Sequence, residues 1–257
     1  MASTLALACP SVVRADPLTV EIALGLESYG RVAVDPSGAV AVFEERRSRI
    51  DLPRHDVEAE GANRYARLFR LDLDQSGPPR PLLPMAEDAG YTAGPFSPDG
   101  RRLVVFRLRN DEWRLGIVEL ASGRTIWSDV APELGLWGRS VEWVGDDTLI
   151  VLGTPDGALP TRLAGPRTDQ NRLMTLRAAA TAGSAAAVIV GEHAPETLQP
   201  RRLWRIAAAT GSASAIADGP FLDFEMSPDG QYAALLLDGP LLPPRWWRRS
   251  PPTRQGF

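Results

Sequence analysis

The tetrapeptide Ser97-Pro98-Asp99-Gly100 occurs again, unchanged, as Ser227-Pro228-Asp229-Gly230. Asp35-Pro36-Ser37-Gly38 is a close variant, and Val144-Gly145-Asp146-Asp147 is a degraded one. Because proline fixes its own φ and glycine accepts positive φ, each phrase predicts a tight turn. Short apolar runs follow the four phrases, at 39–43, 103–106, 149–152 and 232–237. An extended segment, a turn and a second extended segment therefore recur along the chain, as in repeat architectures.

A second pattern recurs downstream of the first. Apolar and polar residues alternate through 67–73, 114–120 and 202–206, and the runs lead into turns that contain Gly77, Gly123 and Gly211. Such alternation is expected of a strand with one buried face. One full unit is then four strands joined by turns, which is the sheet of a β-propeller blade with a repeat of about 40 to 50 residues.

We therefore predict an all-β fold: a partial β-propeller of three blades plus the first hairpin of a fourth. The first blade begins near Ser28 and carries a charged, non-sheet insertion over 46–63. The second blade runs from Tyr91 to about Val130. The third opens at Ser140 and closes near Ala217, and the fourth begins at Phe221.

The interior of the third blade is longer than a hairpin needs. Residues 171–187 are rich in alanine, with interspersed leucine and methionine, and predict a helical insertion. A rival count treats 173–190 as a degenerate extra blade. Since single sheets of this kind bury little surface alone, large side chains must fill the spaces between blades. We expect the following tryptophans to do so: Trp113, Trp127, Trp137, Trp143 and Trp204.

Composition excludes several classes of function. The 257 residues carry a net charge of −4, which gives no support to a nucleic-acid partner. Every basic side chain apart from histidine is arginine. Cys9 is the only cysteine, so the sequence offers neither a disulfide framework nor a thiolate metal site. His55 and His193 are the only histidines and are expected to be exposed to solvent.

The two ends of the chain differ from the propeller region, to which we assign residues 16–240. Residues 1–15 have a short apolar stretch but lack a basic region, so a signal-peptide remnant and a misassigned start both stay open. The first alternative implies an exported, periplasmic protein and the second a cytoplasmic one. Residues 241–257 show neither alternation nor turn signals, and we expect an irregular, disordered or aberrant tail. No segment reaches the roughly 20 apolar residues of a membrane span.

Motifs that carry catalytic chemistry are missing from the sequence. The string nearest to Gly-x-Ser-x-Gly is Gly138-Arg139-Ser140-Val141-Glu142, where glutamate replaces the last glycine and a strand follows at once. Phosphate-binding loops, dinucleotide fingerprints and zinc helices are also lacking. We therefore predict no catalytic residue, no cofactor and no metal ligand in this chain.

Two acidic pairs are candidate sites for a cationic substrate or a metal. Glu44 and Glu45 lie on a predicted strand, where adjacent side chains point to opposite faces and do not converge. Their charge is expected to be compensated by the neighbouring Arg46 and Arg47. The pair 146–147 is interpreted as part of a turn that tolerates left-handed backbone. Neither pair is predicted to form a site.

The repeated phrases resemble the N-terminal β-propeller of prolyl-oligopeptidase-family serine peptidases, including dipeptidyl-peptidase-like and lasso-peptide-isopeptidase-like members. Residues 96–104 and 203–211 carry this similarity, and 26–38 resemble the first-blade opening of that family. The same phrases are also similar to the TolB-type periplasmic propeller. The resemblance covers about residues 17–240.

In the peptidase family the catalytic Ser, Asp and His lie in a C-terminal hydrolase domain, and the propeller filters access of peptides. The resemblance therefore implies a non-catalytic, substrate-gating propeller fragment, truncated or frameshifted, whose partner is a peptide or a protein. A TolB-type interaction propeller is the alternative, and a small enzyme with an unfamiliar active site is a third. Three and a fraction blades leave two unpacked faces, so we also expect self-association.

Overall fold

Alternating sequence produces an almost purely antiparallel β structure in the computed structural model, which describes residues 17–54, 59–135, 139–160, 162–164, 174–175, 177–178, 181 and 200–237. The strands are β1 (Ser28–Val34), β2 (Val40–Arg46), β3 (Ala66–Asp72), β4 (Arg80–Pro81), β5 (Ala89–Phe96), β6 (Arg102–Arg109), β7 (Glu112–Glu119), β8 (Thr125–Trp127), β9 (Val141–Val144), β10 (Thr148–Gly153), β11 (Arg201–Ala207), β12 (Ala213–Gly219), β13 (Phe221–Met226) and β14 (Ala233–Leu237). Two short helices, α1 (Val20–Gly25) and α2 (Ala59–Ala62), accompany them. None of the helices in these ranges is long and apolar enough to cross a membrane.

The strands form four separate sheets, each built from strands that are consecutive in sequence. Three sheets have four strands, in the orders β1-β2-β3-β4, β5-β6-β7-β8 and β9-β10-β11-β12, and the fourth sheet is the hairpin β13-β14. The first strands of successive sheets, β1, β5, β9 and β13, contact one another in that order. This is the partial β-propeller predicted from the repeats, with blades 1 to 3 complete and two strands of blade 4 present. The described sheets do not close into a ring.

The long interior of the third blade joins two strands of one sheet. β10 pairs directly with β11, from Thr148 opposite Ala207 to Gly153 opposite Arg202. The rival blade over 173–190 falls almost wholly outside the described residues, as does most of the predicted helix over 171–187. Within that segment residues 174, 175, 177, 178 and 181 are helical.

Each pair of neighbouring blades encloses its own apolar core. Blades 1 and 2 meet around Val42, Leu68 and Val105, and Trp127 packs against this cluster. The largest core lies between blades 2 and 3 and contains the following side chains: Val104, Phe106, Trp113, Leu115, Leu149, Val151 and Ile206, with Trp143 and Trp204 against them. A smaller core joins Ile150 and Leu203 of blade 3 to Phe221 and Phe224 of blade 4. The prediction that tryptophans fill the spaces between blades is confirmed for these four; Trp137 lies outside the described residues.

The four turns between the first and second strands of each blade lie at one end of the molecule. In each complete copy the glycine amide donates to the carbonyl of the first turn residue, for example Gly100 to Ser97 at 2.9 Å. The glycines take left-handed φ values, +71° at Gly100 and +69° at Gly230. Neighbouring turns also touch, because the Asp99 amide donates to Asp146 Oδ1 at 2.9 Å and Arg102 pairs with Asp147 at 2.7 Å. The turns therefore join one blade to the next.

The insertion after β2 contributes side chains to an apolar core. Apart from Arg46, which ends β2, no strand forms among its described residues, as predicted. Leu52 and Ala62 of the insertion, and Tyr65 just after it, are buried in the core between blades 2 and 3. Its chain passes so close to β5 that a Cβ added at Gly90 would overlap the backbone of Arg64 and Tyr65. The segment between β2 and β3 of blade 1 therefore packs into the interface between blades 2 and 3 and stabilises it.

Gly90→Ala should destabilise the protein by about 1 to 3 kcal/mol, because the added methyl meets backbone atoms that cannot rotate away. Gly77→Ala is the matched control, since a Cβ there meets nothing within 4 Å. Urea unfolding followed by tryptophan fluorescence measures both. Equal midpoints for the two variants would contradict the close approach.

The turn aspartates predict an acid-sensitive stability. A hydrogen bond from the Ser97 hydroxyl and one from the Arg101 amide hold the pKa of Asp99 below its ordinary value, and Ser227 and Gln231 do the same for the pKa of Asp229. A carboxyl with a lowered pKa stabilises the fold above its unfolded value of about 3.9, and this contribution is lost as pH falls through the lower folded value.

The urea midpoint should therefore decline below about pH 4, and Asp99→Asn should decline less steeply there than the wild type. Asp74→Asn, in the exposed loop after β3, controls for the loss of one charge. Identical acid slopes for wild type and Asp99→Asn would show that the turn hydrogen bonds carry no such linkage.

Candidate functional site

The end of blade 1 opposite the turns carries an open, charged cleft of about 500 Å³. It is lined by Arg47, Asp51, Pro53, Arg67, Glu87 and Asp88, and we call it the arginine cleft. Two connections form it, the one from β2 to β3 and the one from β4 to β5. Because neighbouring strands are antiparallel, both connections lie at the same end of the sheet.

Arg47 fixes the floor of the arginine cleft. Its Nη1 donates to the Glu87 carbonyl at 2.7 Å, and its Nη2 donates to the carbonyls of Ala86 and of Ala89, the latter at 3.1 Å. Burial lowers the pKa of the Arg47 guanidinium, and the positive charge of Arg67 lowers that pKa further. The Arg47 guanidinium therefore anchors the connection from β4 to β5, which leads into blade 2, by binding its backbone carbonyls.

Arg67, in the wall of the cleft, forms ion pairs with two carboxylates. Its Nη1 lies 3.1 Å from Glu45 Oε1 and 3.7 Å from Glu27 Oε1, with about a third of the side chain exposed. On the opposite side Asp88 pairs with Arg109 at 2.7 Å, and Asp51 accepts from the Ser48 hydroxyl at 2.5 Å. The cleft therefore presents two cations and three carboxylates. None of its six lining residues is a serine, threonine, cysteine or histidine.

The structure places the first acidic pair as the alternation predicts, on opposite faces of β2. Glu44 is buried between blades 1 and 2, where its carboxylate accepts from the amides of Arg31, at 3.0 Å, and Ala93, at 2.9 Å. Glu45 faces the other way and pairs with Arg67. Arg46 Nε and Glu44 Oε2 both lie within 3 Å of one point beside Gly30, so Arg46 is close to Glu44 as expected. The cation paired with Glu45 is Arg67 on the neighbouring strand β3, whereas Arg47 binds backbone carbonyls.

The second acidic pair forms the turn between β9 and β10, as predicted, with the left-handed φ of +61° at Gly145. Asp146 and Asp147 both contact blade 2, through the Asp99 amide and Arg102. Their role in the described structure is therefore to join two blades. No group of three or more His, Cys, Asp or Glu side chains suited to a metal ion occurs among the described residues.

Ser140 lies just before β9, and its carbonyl accepts from the Leu152 amide at 2.8 Å within the third blade. This placement at the start of a strand is the one that the sequence predicts. The other candidates for nucleophilic or metal chemistry, Cys9, His55 and His193, lie outside the described residues.

Sequence reasoning did not single out Arg47 or Arg67 as partners in a cleft. In the sequence, Arg47 is one of two arginines next to Glu44 and Glu45, whereas Arg67 begins an alternating strand. These local patterns do not indicate that the two arginines lie close together. Their proximity depends on strand pairing, in which Glu45 lies opposite Arg67. An opposite-charge pair across neighbouring strands is the one signal that could have pointed to Arg67.

Neither a family model nor a curated protein sequence matches the chain. Solved structures do resemble it, and they are propeller-containing proteins. A prolyl endopeptidase is similar at 16% identity and a TM-score of 0.43, over 83% of this chain and 25% of that protein. The propeller domain of the trilobed protease from Pyrococcus furiosus is similar at 11% identity and a TM-score of 0.40, over 75% and 45%. TolB from Acinetobacter baumannii is similar at 12% identity and a TM-score of 0.39, over 79% and 36%.

The chain thus spans a quarter to less than half of the length of these proteins. Their propellers belong to peptidases in the first two cases and to TolB in the third. The architecture of this chain rests on its own sheet order, and these similarities assign no activity to it.

Arg47→Ala should lower the free energy of unfolding by roughly 2 to 3 kcal/mol, because three carbonyls lose a charged donor. Arg47→Lys should rescue little of this, since an ammonium group cannot reproduce the planar fork. Arg49→Ala, an exposed arginine two residues away, should change stability by no more than about 0.5 kcal/mol. Chemical unfolding compares the three, and a neutral Arg47→Ala would refute the anchoring role.

Proposed function

We propose that this chain is a non-catalytic propeller that admits and positions peptides, like the gating domain of a prolyl-oligopeptidase-like serine peptidase. One observation carries the proposal: the inner strands β1, β5, β9 and β13 stand side by side and form a continuous wall. A wall of this kind bounds the central passage of a propeller. The repeated phrases at 96–104 and 203–211, which resemble those of the peptidase propellers, support the same interpretation.

Gating requires a passage and groups that contact a peptide. The inner strands β1, β5, β9 and β13 would form one wall of such a passage, since the described sheets do not close into a ring. Backbone groups at the inner edge of each blade are available to an extended peptide, since such a peptide pairs through its own amides and carbonyls. The arginine cleft adds charged side chains on the rim, where Arg67 and Glu87 can contact a peptide carboxylate or ammonium group. Reactive side chains play no part in this role, and the hydrolysis would be carried out by another domain or chain.

Peptide binding and hydrolysis can be tested on the same preparation. Purified chain is incubated with proline- and alanine-linked chromogenic peptides and with a serine-directed fluorophosphonate. We expect neither turnover nor labelling above a heat-denatured control. Turnover that the serine-directed reagent abolishes would overturn the proposal and establish an enzyme.

Binding is then measured by fluorescence anisotropy with labelled peptides of the same composition. We expect Arg67→Ala to weaken binding by about three- to tenfold, in line with a partly exposed charge pair. Arg124→Ala, an exposed arginine at the turn end of blade 2, is the matched control and should bind as the wild type does. Equal affinities for both variants would remove the arginine cleft from the proposal.

A TolB-type interaction propeller is the second candidate, favoured by the exposed apolar side chains on the outer surfaces of blades 1 and 4, which a protein partner could cover. The DNA beyond codon 257 distinguishes the two. A continuation that encodes Gly-x-Ser-x-Gly, in any frame, favours the peptidase-like interpretation. Lack of peptide binding together with capture of a folded protein would favour the interaction propeller.

A further inference from the structure

The inner strand of each blade has one edge without a neighbouring strand, because β1, β5, β9 and β13 each stand at the end of the strand order of their sheet. An unpaired strand edge presents amides and carbonyls to which an extended peptide can bond. In an antiparallel pair, alternate residues turn these groups towards the partner strand, and the residues between them turn the same groups outward. The strand pairing therefore shows which inner-strand residues offer their backbone to the passage.

Carboxylates of the protein already occupy some of these outward amides. Ala93 on β5 donates to Glu44 Oε1 at 2.9 Å, and Met226 on β13 donates to Glu142 Oε2 at 3.3 Å. In both cases the carboxylate belongs to the preceding blade. The inner edges of blades 2 and 4 are thus partly filled by side chains, which hinders the addition of a further strand there.

The inner edge of blade 3 is open. The Leu152 amide donates to the Ser140 carbonyl at 2.8 Å, and β9 and β10 continue in register from that bonded pair. Val141 and Trp143 therefore turn their backbone groups away from β10. Within the part of the chain that the structure describes, neither of these two amides has a partner on that side. The two residues lie about 7 Å apart along an extended strand, which is the spacing of the outward groups on a second strand.

The strand β1 also has outward amides. The Asp35 amide donates to the Val40 carbonyl at 2.9 Å, so the alternation turns the amides of Val34 and Val32 outward. Backbone geometry alone therefore does not choose between β1 and β9. The charged side chains beside β9 make the difference.

Three carboxylates and one guanidinium lie beside β9. Arg139 Nη1 is 3.6 Å from Glu142 Oε2, and Arg139 Nη2 is 3.3 Å from Glu225 Oε2. Asp223 accepts from the Arg139 amide at 2.6 Å. One positive and three negative charges give this group a net charge of −2. Since residues directly opposite each other on paired strands share a face, a basic side chain opposite Glu142 would lie next to these carboxylates.

We propose that β9 receives an extended peptide as an added strand, and that this peptide carries basic side chains at alternate positions. The inference rests on the proposed peptide-positioning function and names the strand and the class of peptide. The outward backbone groups of Val141 and Trp143 bond to the main chain of the peptide. Glu142 and Glu225 contact its basic side chains. Because the Trp143 indole donates to the Pro95 carbonyl at 3.2 Å, the strand is held in place before a peptide binds.

Alternate N-methylation of a peptide tests the backbone contacts on the unaltered protein. The probe is the fluorescein-labelled hexapeptide Ala-Arg-Ala-Arg-Ala-Arg, measured by fluorescence anisotropy at physiological salt. An extended peptide turns every second amide towards β9, so N-methylation of one set, the alanines or the arginines, should weaken binding by about tenfold or more. N-methylation of the other set should weaken binding by no more than about threefold. Equal losses for the two sets would rule out strand addition.

The charge of the peptide is tested with glutamate in place of arginine. This peptide should bind about tenfold more weakly, because its carboxylates meet those beside β9. Glu225→Gln should weaken binding of the arginine peptide by about threefold, as expected for a partly exposed charge pair. Asp74→Asn, in the exposed loop after β3, controls for the loss of one charge and should bind as the wild type does. Equal affinities for the two peptides would contradict the preference for basic side chains.

Two proline variants test the choice of strand. Val141→Pro removes an outward amide that the sheet does not use, and proline is tolerated on an edge strand when its nitrogen faces outward. This variant should bind the arginine peptide about fivefold more weakly or worse. Val32→Pro, which removes an outward amide of β1, is the matched control and should bind as the wild type does. Equal effects of the two variants would overturn the assignment to β9.

Circular dichroism and thermal unfolding confirm that each variant retains the β fold. If Val141→Pro does not fold, the N-methylated peptides and Glu225→Gln still decide the question. The inference and the proposed function can fail separately. If the proline- and alanine-linked peptides bind but the arginine peptide shows neither alternation nor a charge preference, only the inference is overturned. If no peptide binds at all, the proposed function is overturned and the inference with it.

Discussion

Everything in this structure depends on the packing of one sheet face against the next. A four-stranded sheet of this size has two broad faces and no core of its own, so its apolar side chains are buried only where a second sheet lies against them. The three cores found here are all of this kind, built mainly from pairs of blades, and in the largest core Leu52, Ala62 and Tyr65 from the segment after β2 join the side chains of blades 2 and 3. Trp113 illustrates the point, because it stacks on Phe106 within blade 2 while its cluster includes Leu149 of blade 3. The stability of any one blade is therefore a property of its neighbours.

Polar contacts then set the alignment of the blades that apolar packing brings together. Glu44 places a buried carboxylate between two backbone amides, one in its own blade and one in the next. The indole of Trp143 donates to the Pro95 carbonyl across the second interface, at 3.2 Å. Contacts of this kind are directional, whereas apolar burial is not, so they fix the register in which one blade lies on another. The turns contribute a further set at the molecule's edge through Asp146 and Asp147.

The sequence predicts well whatever depends on residues that are close together in the chain. Turn phrases and period-two alternation locate the four hairpins to within about two residues, because both signals arise from local backbone geometry. The same local reasoning predicts that Glu44 and Glu45 diverge. It could not supply the partners of Glu45 or Arg47, which come from strands and loops brought near by the fold. The burial of Tyr65 at the interface between blades 2 and 3 could not be predicted either. The charged and irregular sequence around Tyr65 does not indicate which surface this segment contacts.

The helix α1 shows a different limit of prediction from local sequence. Its residues are mostly apolar but largely exposed, and its start is marked by a Thr19 side chain that accepts from the Ile22 amide at 3.2 Å. A single capping bond and six residues are too little to distinguish it from an extended segment by pattern alone. This helix leads directly into β1, whose side chains Tyr29, Val32 and Val34 are also exposed, so the exposed apolar surface begins before the first blade does. The exposed apolar composition of this surface is hard to predict from local sequence, because no neighbour among the described residues packs against it.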